Sequence, residues 1–377
     1  MSDFETRNRY FDRLSNTPGL RWMGQNTNHH PLPPAVIKAM HDSIDSDEFR
    51  AYAPPLGFET LRQGVVDDLG LQDAIAMITD GGVEALYHIC HTFLRAGDQF
   101  VTTDPGWKWP PAFARAIGAE VTEIPIYDAS LGYRLSADLL KAAITDKTRV
   151  IYLVDPNNPL GTCIAESEMI GIAAIARDLG ALLIHDCTYR HFAEGHTLAA
   201  RFYPEGTLTT YSFSKWLGAA GLRVGAAVGA PALIERLASA PPNNLGSNVV
   251  SQRAALAGLA AKSEWFPGVQ RTQRRNQAEI KKAAEAIPGF HLPVYPSNGN
   301  FLVVECIEAG VQPEALVAAM QEHRILIRQG SYHTPTFGNR FIKVSTTVPE
   351  AWVDEFCALL PTVAAKVRGR NTKVDVF

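Results

Sequence analysis

The chain has 377 residues, of which 46% are hydrophobic and 20% are charged. This balance is typical of a soluble globular protein, and the length predicts one large domain and one smaller domain. The formal net charge is −4 and no stretch clusters Lys and Arg, so we expect small-molecule partners and no nucleic acid.

The sequence carries no membrane or secretion signal that we recognise. No stretch approaches the roughly 18 consecutive apolar residues of a membrane span. The N-terminal segment Met-Ser-Asp-Phe-Glu-Thr-Arg lacks the apolar core of a secretory signal. The cysteines are Cys90, Cys163, Cys187, Cys306 and Cys357. They are odd in number, widely spaced and never in a CxxC pair, which argues against a disulfide framework and against a zinc site. We therefore expect a cytoplasmic protein.

Residues 1 to about 45 have no strong periodicity and predict an ordered arm that leads into a short helix over residues 35–43. Turn-forming residues are dense between Asn26 and Pro34. His29 and His30 are adjacent, so on an extended segment their side chains point to opposite faces. We expect no metal site there.

A glycine pair marks the start of the next region. A helix with Leu61, Val65 and Leu69 on one face is followed by an apolar run that Gly81 and Gly82 interrupt. A second helical pattern begins there, at Val83, Leu86, Cys90 and Leu94. Glycines that open a helix expose backbone N–H groups at the positive end of its dipole, which outlines a phosphate cradle. An ordinary loop has the same pattern, so both interpretations stay open.

Strands and helices then alternate. We predict strands over 100–102, 121–124, 150–154, 182–185 and 208–213, and helices over 109–117, 137–143 and 169–179. Apolar strands that alternate with helices predict a mostly parallel sheet covered on both faces, in three layers. Ligands of such sheets gather at the carboxyl ends of the strands. Side chains that could bind a ligand or take part in catalysis follow those ends: Trp107, Asn158, Asp186, Tyr189 and Lys215.

The C-terminal part predicts a smaller α/β domain. A polar helix over 269–286 leads to strands over 300–304, 325–328 and 341–345, with helices over 313–323 and 351–367. We expect residues 1–45 to be an arm that joins this domain, residues 46–264 to be the large domain, and residues 265–377 to be the small one.

Lys215 lies between two hydroxyls, Ser212 and Ser214, with Arg223 eight residues later. An unprotonated lysine amine bonds covalently to carbonyl compounds, and enzymes that use pyridoxal phosphate (PLP) rest in that linked state. The two serines and the arginine fork would suit a phosphate. A solvated turn is the alternative for this segment taken alone.

Six motifs in order resemble the fold-type I PLP-dependent aminotransferases of classes I and II, most closely the branch that resembles histidinol-phosphate aminotransferases. They are Tyr-x-x-Pro-x-Gly at Tyr52, the Gly81-Gly82 helix start, Pro-x-Trp at Pro105, Asn-Asn-Pro-x-Gly at Asn157, Asp-x-x-Tyr at Asp186, and Ser-x-Ser-Lys with Arg223. The resemblance spans nearly the whole chain.

The resemblance implies a role for each of these positions. Lys215 would hold PLP as a Schiff base and then move the proton, and Asp186 would pair with the pyridine nitrogen. Asn158 and Tyr189 would bind the phenolic oxygen, and Trp107 would stack on the ring. The phosphate would be held by Gly82, Val83, Ser212, Ser214 and Arg223, with Tyr52 reaching across from the second subunit of a homodimer.

The substrate end departs from the family pattern. The family places an arginine before a short aliphatic strand segment to grip the substrate's anion, and this chain has Lys343 there. A lysine cannot make the bidentate fork of an arginine. Either Lys343 binds the anion, or Arg328 or Arg21 replaces it, or the substrate has no carboxylate there. Arg340 would face away from Lys343 by strand alternation. The family also places the N-terminal arm over the substrate, which implicates Asn26 and Asn28.

The resemblance implies an aminotransferase that moves an amino group from a small amino acid or amine to a 2-oxo acid. A PLP-dependent decarboxylase, lyase or synthase on the same scaffold is the alternative, because the groups around the cofactor choose which bond breaks. A PLP-binding regulatory domain without turnover is a remote third possibility.

Overall fold

The computed structural model describes residues 3–239 and 245–371. Within these ranges the strands are β1 Arg21–Trp22, β2 Ile75–Thr79, β3 Gln99–Asp104, β4 Glu120–Pro125, β5 Thr148–Val154, β6 Leu182–Asp186, β7 Thr207–Ser212, β8 Gly225–Gly229, β9 Phe301–Glu305, β10 Ile325–Leu326, β11 Arg328–Gln329 and β12 Phe341–Ser345. The helices are α1 Asp3–Ser15, α2 Pro34–Asp45, α3 Glu59–Leu69, α4 Gly82–Phe93, α5 Trp109–Ile117, α6 Ala137–Ala143, α7 Glu166–Leu179, α8 Phe213–Trp216, α9 Pro231–Ala238, α10 Val249–Glu285, α11 Pro313–Glu322 and α12 Glu350–Val367.

The larger of two compact units comprises Asn28–Arg271 and Pro296–Asn300. Its seven-stranded sheet has the order β2-β8-β7-β6-β5-β3-β4. The pairs from β7 through β6, β5 and β3 to β4 are parallel, and β8 runs antiparallel to both of its neighbours. Consecutive residues of β6 and β7 are all buried, so both faces of the sheet are covered, as the apolar pattern predicts. The mostly parallel α/β sheet is therefore confirmed.

The smaller unit comprises Met1–Thr27, Thr272–Tyr295 and Phe301–Phe377. Its three-stranded antiparallel sheet has the order β11-β12-β9, and β1 pairs with β10 in a separate parallel pair. Buried apolar side chains from β9, α11, β12 and α12 form one core with Met23. The predicted domain boundaries after residues 45 and 264 stay a prediction.

Strands β1, β2 and β8 have no counterpart in the sequence prediction, and four further elements differ from it. The arm holds helix α1, whose apolar contacts come from Tyr10, Phe11 and Leu14 near its end. Strand β7 ends at Ser212, because the Ser212 hydroxyl accepts a hydrogen bond from the Ser214 amide (3.2 Å) and caps helix α8. The predicted strand over 325–328 is two short strands in different sheets.

The fourth difference is helix α10, which begins 20 residues before the predicted Val269. Pro267 lies in the part of the helix that the sequence prediction left out, and proline lacks the N–H that a helix interior normally uses. The helix nevertheless continues through Pro267 over its 37 residues. Among the described helices, none is both long and apolar enough to cross a membrane.

Candidate active site

Parallel pairing brings three strand ends to one edge of the large sheet. Val154 of β5 is the partner of Asp186 of β6, and Asp186 is also the partner of Thr210 of β7. The segments that follow these ends carry Asn158, Tyr189 and Lys215. The predicted ligand-binding residues of these three strands therefore start from the same edge.

Lys215 is the central basic group at this edge. It lies in the four-residue helix α8, directly after β7, and its side chain is half-buried. Burial, and secondarily the positive charge of Arg223, lower the pKa of Lys215 to about 8. About a tenth of the amine is therefore neutral at pH 7, which an exposed lysine does not achieve. A lysine in this state can act as a nucleophile or a base.

Asp186 is a buried carboxylate surrounded by donors. Its Oδ1 accepts hydrogen bonds from the Thr188 amide (3.1 Å), the Thr188 hydroxyl (2.7 Å) and the Thr210 hydroxyl (3.0 Å). Its Oδ2 accepts one from the Tyr152 hydroxyl (3.0 Å). Buried polar groups need such partners, and hydrogen bonds to a carboxylate are stronger than those between neutral groups. The sequence analysis did not identify Tyr152, Thr188 or Thr210.

The glycine pair and Arg223 form a cradle. Gly81 has φ +90°, and a Cβ there would collide with the Arg223 guanidinium. A Cβ on Gly82 would lie 3.6 Å from the Ser212 Cβ, so the N-terminus of α4 is close to Ser212. Arg223 donates to the carbonyl oxygens of Ala220 (2.8 Å) and Asp80 (3.1 Å), which orients its fork. A helix N-terminus, a serine hydroxyl and an arginine together suit a phosphate.

The remaining predicted cofactor residues differ in exposure. Asn158 and Tyr189 are buried, Trp107 is half-buried against the core that includes α4, and Ser214 is buried. Val83 is 38% exposed, so it does not share the buried face that the periodicity of α4 predicted. Tyr52 is 79% exposed.

Asn157 holds the loop that carries Asn158. Its side-chain amide donates to the Pro105 carbonyl (3.2 Å), and its Oδ1 accepts from the Leu160 amide (3.1 Å). The first bond ties this loop to the one that carries Trp107. The sequence motif contains both asparagines, and the contacts of Asn157 show that its role is to support the loop.

Asn28 belongs to the larger unit and lies beside α8. Its side-chain amide donates to the Trp216 carbonyl (2.9 Å), and its Oδ1 accepts from the His30 amide (3.0 Å). A Cβ on Gly218, which has φ +80°, would lie 2.8 Å from the Asn28 carbonyl. Asn28 is therefore held against the residue next to Lys215.

Lys343 is buried in the smaller unit, on the central strand of its three-stranded sheet. Its direct cross-strand partner is Arg328, also buried, so the two cations project from the same face. Lys343 Nζ lies 5.3 Å from the centre of the Phe301 ring, and Arg328 Cζ lies 4.4 Å from that of Tyr332. Burial lowers the pKa of Arg328.

The other two candidate arginines are engaged elsewhere in the smaller unit. Arg340 makes two hydrogen bonds to the buried Glu305 carboxylate (2.8 and 3.2 Å), and Arg21 pairs with Glu355 (2.6 Å). Asn26 has φ +54°, and its backbone N–H donates a hydrogen bond to the Ser345 hydroxyl (2.9 Å). Arg328 is thus the alternative that lies beside Lys343.

One cluster in the larger unit has the residue types of a metal site. Ligand atoms of His185, Cys187 and His196 lie within 4.8 Å of one another. His185 Nδ1, however, accepts a hydrogen bond from the Ala199 amide (3.2 Å), so its proton is on Nε2, 3.4 Å from Asp155. His196 Nε2 also lies 3.1 Å from that carboxylate. A protonated Nε2 cannot bind a metal, and the cluster reads as a hydrogen-bonded network.

Comparison with solved structures identifies the class of fold. The chain superimposes on an aspartate aminotransferase of Thermus thermophilus with a TM-score of 0.83 at 22% identity, covering 96% of this chain and 97% of that one. It matches an N-succinyldiaminopimelate aminotransferase of Mycobacterium tuberculosis with a TM-score of 0.85 at 22% identity, covering 96% and 99%. At these identities the likeness establishes the fold.

Sequence comparison establishes the family. Residues 19–360 match the model of aminotransferase class I and II, and the chain belongs to this family. A histidinol-phosphate aminotransferase of Mesorhizobium japonicum is 30% identical over 291 residues, which cover 74% of this chain and 75% of that protein. An aromatic amino acid aminotransferase of Rhodococcus opacus is 26% identical over 369 residues, covering 97% and 96%. The resemblance inferred from the motifs is confirmed: the chain is a PLP-dependent aminotransferase.

Proposed function

We propose that Lys215 is the residue that bonds PLP and then moves the proton during amino transfer from a small anionic amino compound to a 2-oxo acid. The observation that supports this most directly is the half-buried amine with a pKa of about 8 beside a cradle of Gly82, Ser212 and Arg223. The cradle suits the phosphate of PLP, and Asp186 supplies a buried carboxylate at the same edge. The residues present therefore fit this cofactor.

When bound, PLP supplies an electron sink that stabilises negative charge at the substrate's α-carbon. Asp186 would accept a hydrogen bond from the pyridine nitrogen of the cofactor. Asn158 and Tyr189 would donate to its phenolic oxygen, and Trp107 would pack against its ring. The neutral amine of Lys215 would take the substrate's α-proton as a general base and return it as a general acid.

We further propose that Lys343 receives the substrate's anion with Arg328 beside it. Both are buried cations on the same face of the small unit's sheet, and two adjacent positive charges suit an anionic group. The substrate class is then an amino compound that carries a carboxylate or phosphate. Because relatives of the chain are named histidinol-phosphate and aromatic amino acid aminotransferases, the donors to be tested include both phosphate and carboxylate compounds.

The working assembly is proposed to be a cytoplasmic homodimer in which Tyr52 reaches the phosphate of the neighbouring subunit. The 79% exposure of Tyr52, with exposed Ile44 and Phe49 near it in the chain, supports a contact with a second copy. Five free cysteines fit a reducing compartment. Sedimentation of the wild-type protein and of Tyr52→Ala tests this: a monomeric wild-type protein with full PLP affinity would exclude the shared site.

The test of amino transfer mixes the purified, PLP-loaded protein with a panel of amino donors and follows the visible spectrum. We expect conversion to the aminated cofactor with at least one anionic donor, and reversal when a 2-oxo acid is added. Matched donors that lack the carboxylate or phosphate serve as controls for the role of Lys343 and Arg328. Release of carbon dioxide or sulfide without that conversion would instead support the decarboxylase or lyase alternative.

A further inference from the structure

The carboxylate of Asp186 has an uneven set of hydrogen-bond donors. A carboxylate offers about two acceptor sites on each oxygen. Oδ1 accepts from Thr188 twice, at 3.1 and 2.7 Å, and from Thr210 at 3.0 Å, so its sites are filled. Oδ2 accepts from Tyr152 alone among the hydrogen bonds of the described residues, at 3.0 Å. One acceptor site of Oδ2 therefore remains for a ligand.

We infer that Tyr152 and Thr210 are positioning residues that fix the rotation of the Asp186 carboxylate and so direct the remaining acceptor site of Oδ2 toward the pyridine nitrogen of PLP. Tyr152 acts on Oδ2 from β5, and Thr210 acts on Oδ1 from β7, so the carboxylate on β6 is held from both neighbouring strands. The inference rests on the proposed assignment of Asp186 to that nitrogen.

Tyr152 is well suited to this task because it has little freedom. It is fully buried, and its ring stacks on Phe100 with centroids 6.1 Å apart and planes at 28°. Burial, followed by the charge of Asp186, raises the pKa of Tyr152 well above its ordinary value, so the hydroxyl stays protonated and donates. A buried phenol without this bond would be left unsatisfied.

Thr210 allows an independent test of how the Asp186 carboxylate is held. Its neighbour Thr209 has a buried hydroxyl for which the described residues provide no hydrogen-bond partner. The two threonines are consecutive on β7, so their side chains point to opposite faces of the sheet. Valine at either position keeps the shape and removes only the hydroxyl, which makes Thr209→Val the matched control for Thr210→Val.

The experiment compares Tyr152→Phe and Thr210→Val with their controls in three measurements: PLP affinity of the apo-protein, the pH midpoint of the visible absorbance of the PLP-loaded protein, and kcat with KM for a working donor. We expect each variant to weaken PLP binding about tenfold, which is the lower end of the range expected when a hydrogen bond to a charged group is lost. A tenfold difference in effect between the two protonation states of the bound cofactor corresponds to a shift of about one pH unit in the midpoint. We expect kcat to fall while KM stays within about twofold.

Tyr211→Phe is the control for loss of a buried phenol, since the Tyr211 hydroxyl donates to a different carboxylate, that of Asp68 (2.8 Å). It should lower thermal stability as Tyr152→Phe does but leave the absorbance midpoint in place. If Tyr152→Phe does not fold, Thr210→Val against Thr209→Val decides the inference. Unchanged midpoint and PLP affinity in folded Tyr152→Phe or Thr210→Val would overturn it.

Asp186→Asn separates this inference from the function on which it rests. If Asp186→Asn abolishes the spectral response and weakens PLP binding while Tyr152→Phe and Thr210→Val resemble the wild type, the inference alone fails. If Asp186→Asn itself leaves the spectrum and the PLP affinity unchanged, the assignment of Asp186 to the pyridine nitrogen is wrong, and the proposed function has to be revised first.

Discussion

Gly81→Ala should damage the phosphate cradle far more than it damages the fold. Gly81 has φ +90° and ψ 164°, a region that only glycine occupies readily, so alanine costs about 1–3 kcal/mol of backbone strain. The new Cβ would also collide with the guanidinium of Arg223. Because the Arg223 side chain is exposed, it can move away from the new Cβ, and packing adds little to the loss of stability.

The displaced arginine gives the expected effect on the cofactor. Arg223 would lose its bonds to the carbonyl oxygens of Ala220 and Asp80, which orient its fork. If Arg223 binds the phosphate as proposed, the cofactor would lose a charge-assisted contact of about 1.5–3 kcal/mol, which corresponds to a roughly 10- to 100-fold weaker PLP affinity. Titration of the apo-protein with PLP, followed by cofactor fluorescence, measures this, and thermal unfolding of the same apo-protein measures the strain.

Gly221→Ala is the matched control, two residues before Arg223. A Cβ at Gly221 meets no atom within 4 Å, and its φ is not in the left-handed region. We expect wild-type PLP affinity and unchanged or slightly higher stability. The reasoning would be refuted if Gly81→Ala bound PLP as tightly as Gly221→Ala does, because the cradle would then not depend on where Arg223 lies.

Three further predictions address the lysines and the stability. Lys215→Ala should keep the fold and lose the visible absorbance of the lysine-bound cofactor, and a variant that retained it would show that another lysine is the anchor. Lys343→Arg should change donor preference, measured as kcat/KM across the panel, by about tenfold while PLP affinity stays within about twofold. Lys366→Arg, at an exposed ion pair with Glu322, is its control, and equal profiles for the two variants would remove Lys343 from the substrate site. Burial is the largest cause that lowers the pKa of His191 to about 3 in the folded protein. Because the folded pKa is below the unfolded value of about 6.5, the stability it contributes is present above pH 6.5 and is lost as the pH falls toward 3. The free energy of unfolding should therefore decrease by up to about 1.4 kcal/mol per pH unit over that window, and His191→Gln should flatten the dependence in a denaturant titration. A wild-type curve that is flat between pH 6.5 and 4 would contradict this.

The sheet of the larger unit was largely predictable because all of its strands except the edge strand β4 are mostly buried on both faces. Such strands read as continuous apolar runs, and the prediction over 150–154 falls within β5 Thr148–Val154. Helix α1 was not predictable from the same periodicity, because Phe4 is 78% exposed and only residues near its C-terminal end pack on the core. For helix α10, the sequence prediction covered only the C-terminal half of the helix. A proline inside a long helix costs one backbone hydrogen bond, which the packing of a 37-residue element can offset.

The candidate cofactor residues were predictable from motifs because each motif is local in sequence, whereas the substrate end depends on register. Nothing in the sequence around Lys343 indicates that Arg328 is its neighbour. The two residues become direct partners only because β11 and β12 pair antiparallel with that register, and a shift by one residue would turn one of the side chains to the other face. The pairing of β12 with β9 removes Arg340 from consideration, since the carboxylate of Glu305 on β9 engages it.

The hydroxyls around Asp186 illustrate the same limit and give it a mechanistic consequence. In the sequence, Tyr152 and Thr210 are ordinary members of apolar strands, and neither has the spacing of a site motif. They reach Asp186 because β5, β6 and β7 are adjacent and parallel, so residues 34 and 24 positions away from it along the chain meet one carboxylate. A motif can predict which carboxylate a cofactor would contact. The direction in which that carboxylate accepts a hydrogen bond, however, is set by side chains on the neighbouring strands. Two relatives that share every motif residue and differ at positions 152 and 210 should therefore differ in the absorbance midpoint of the bound cofactor, and exchanging these two residues between them should exchange that midpoint.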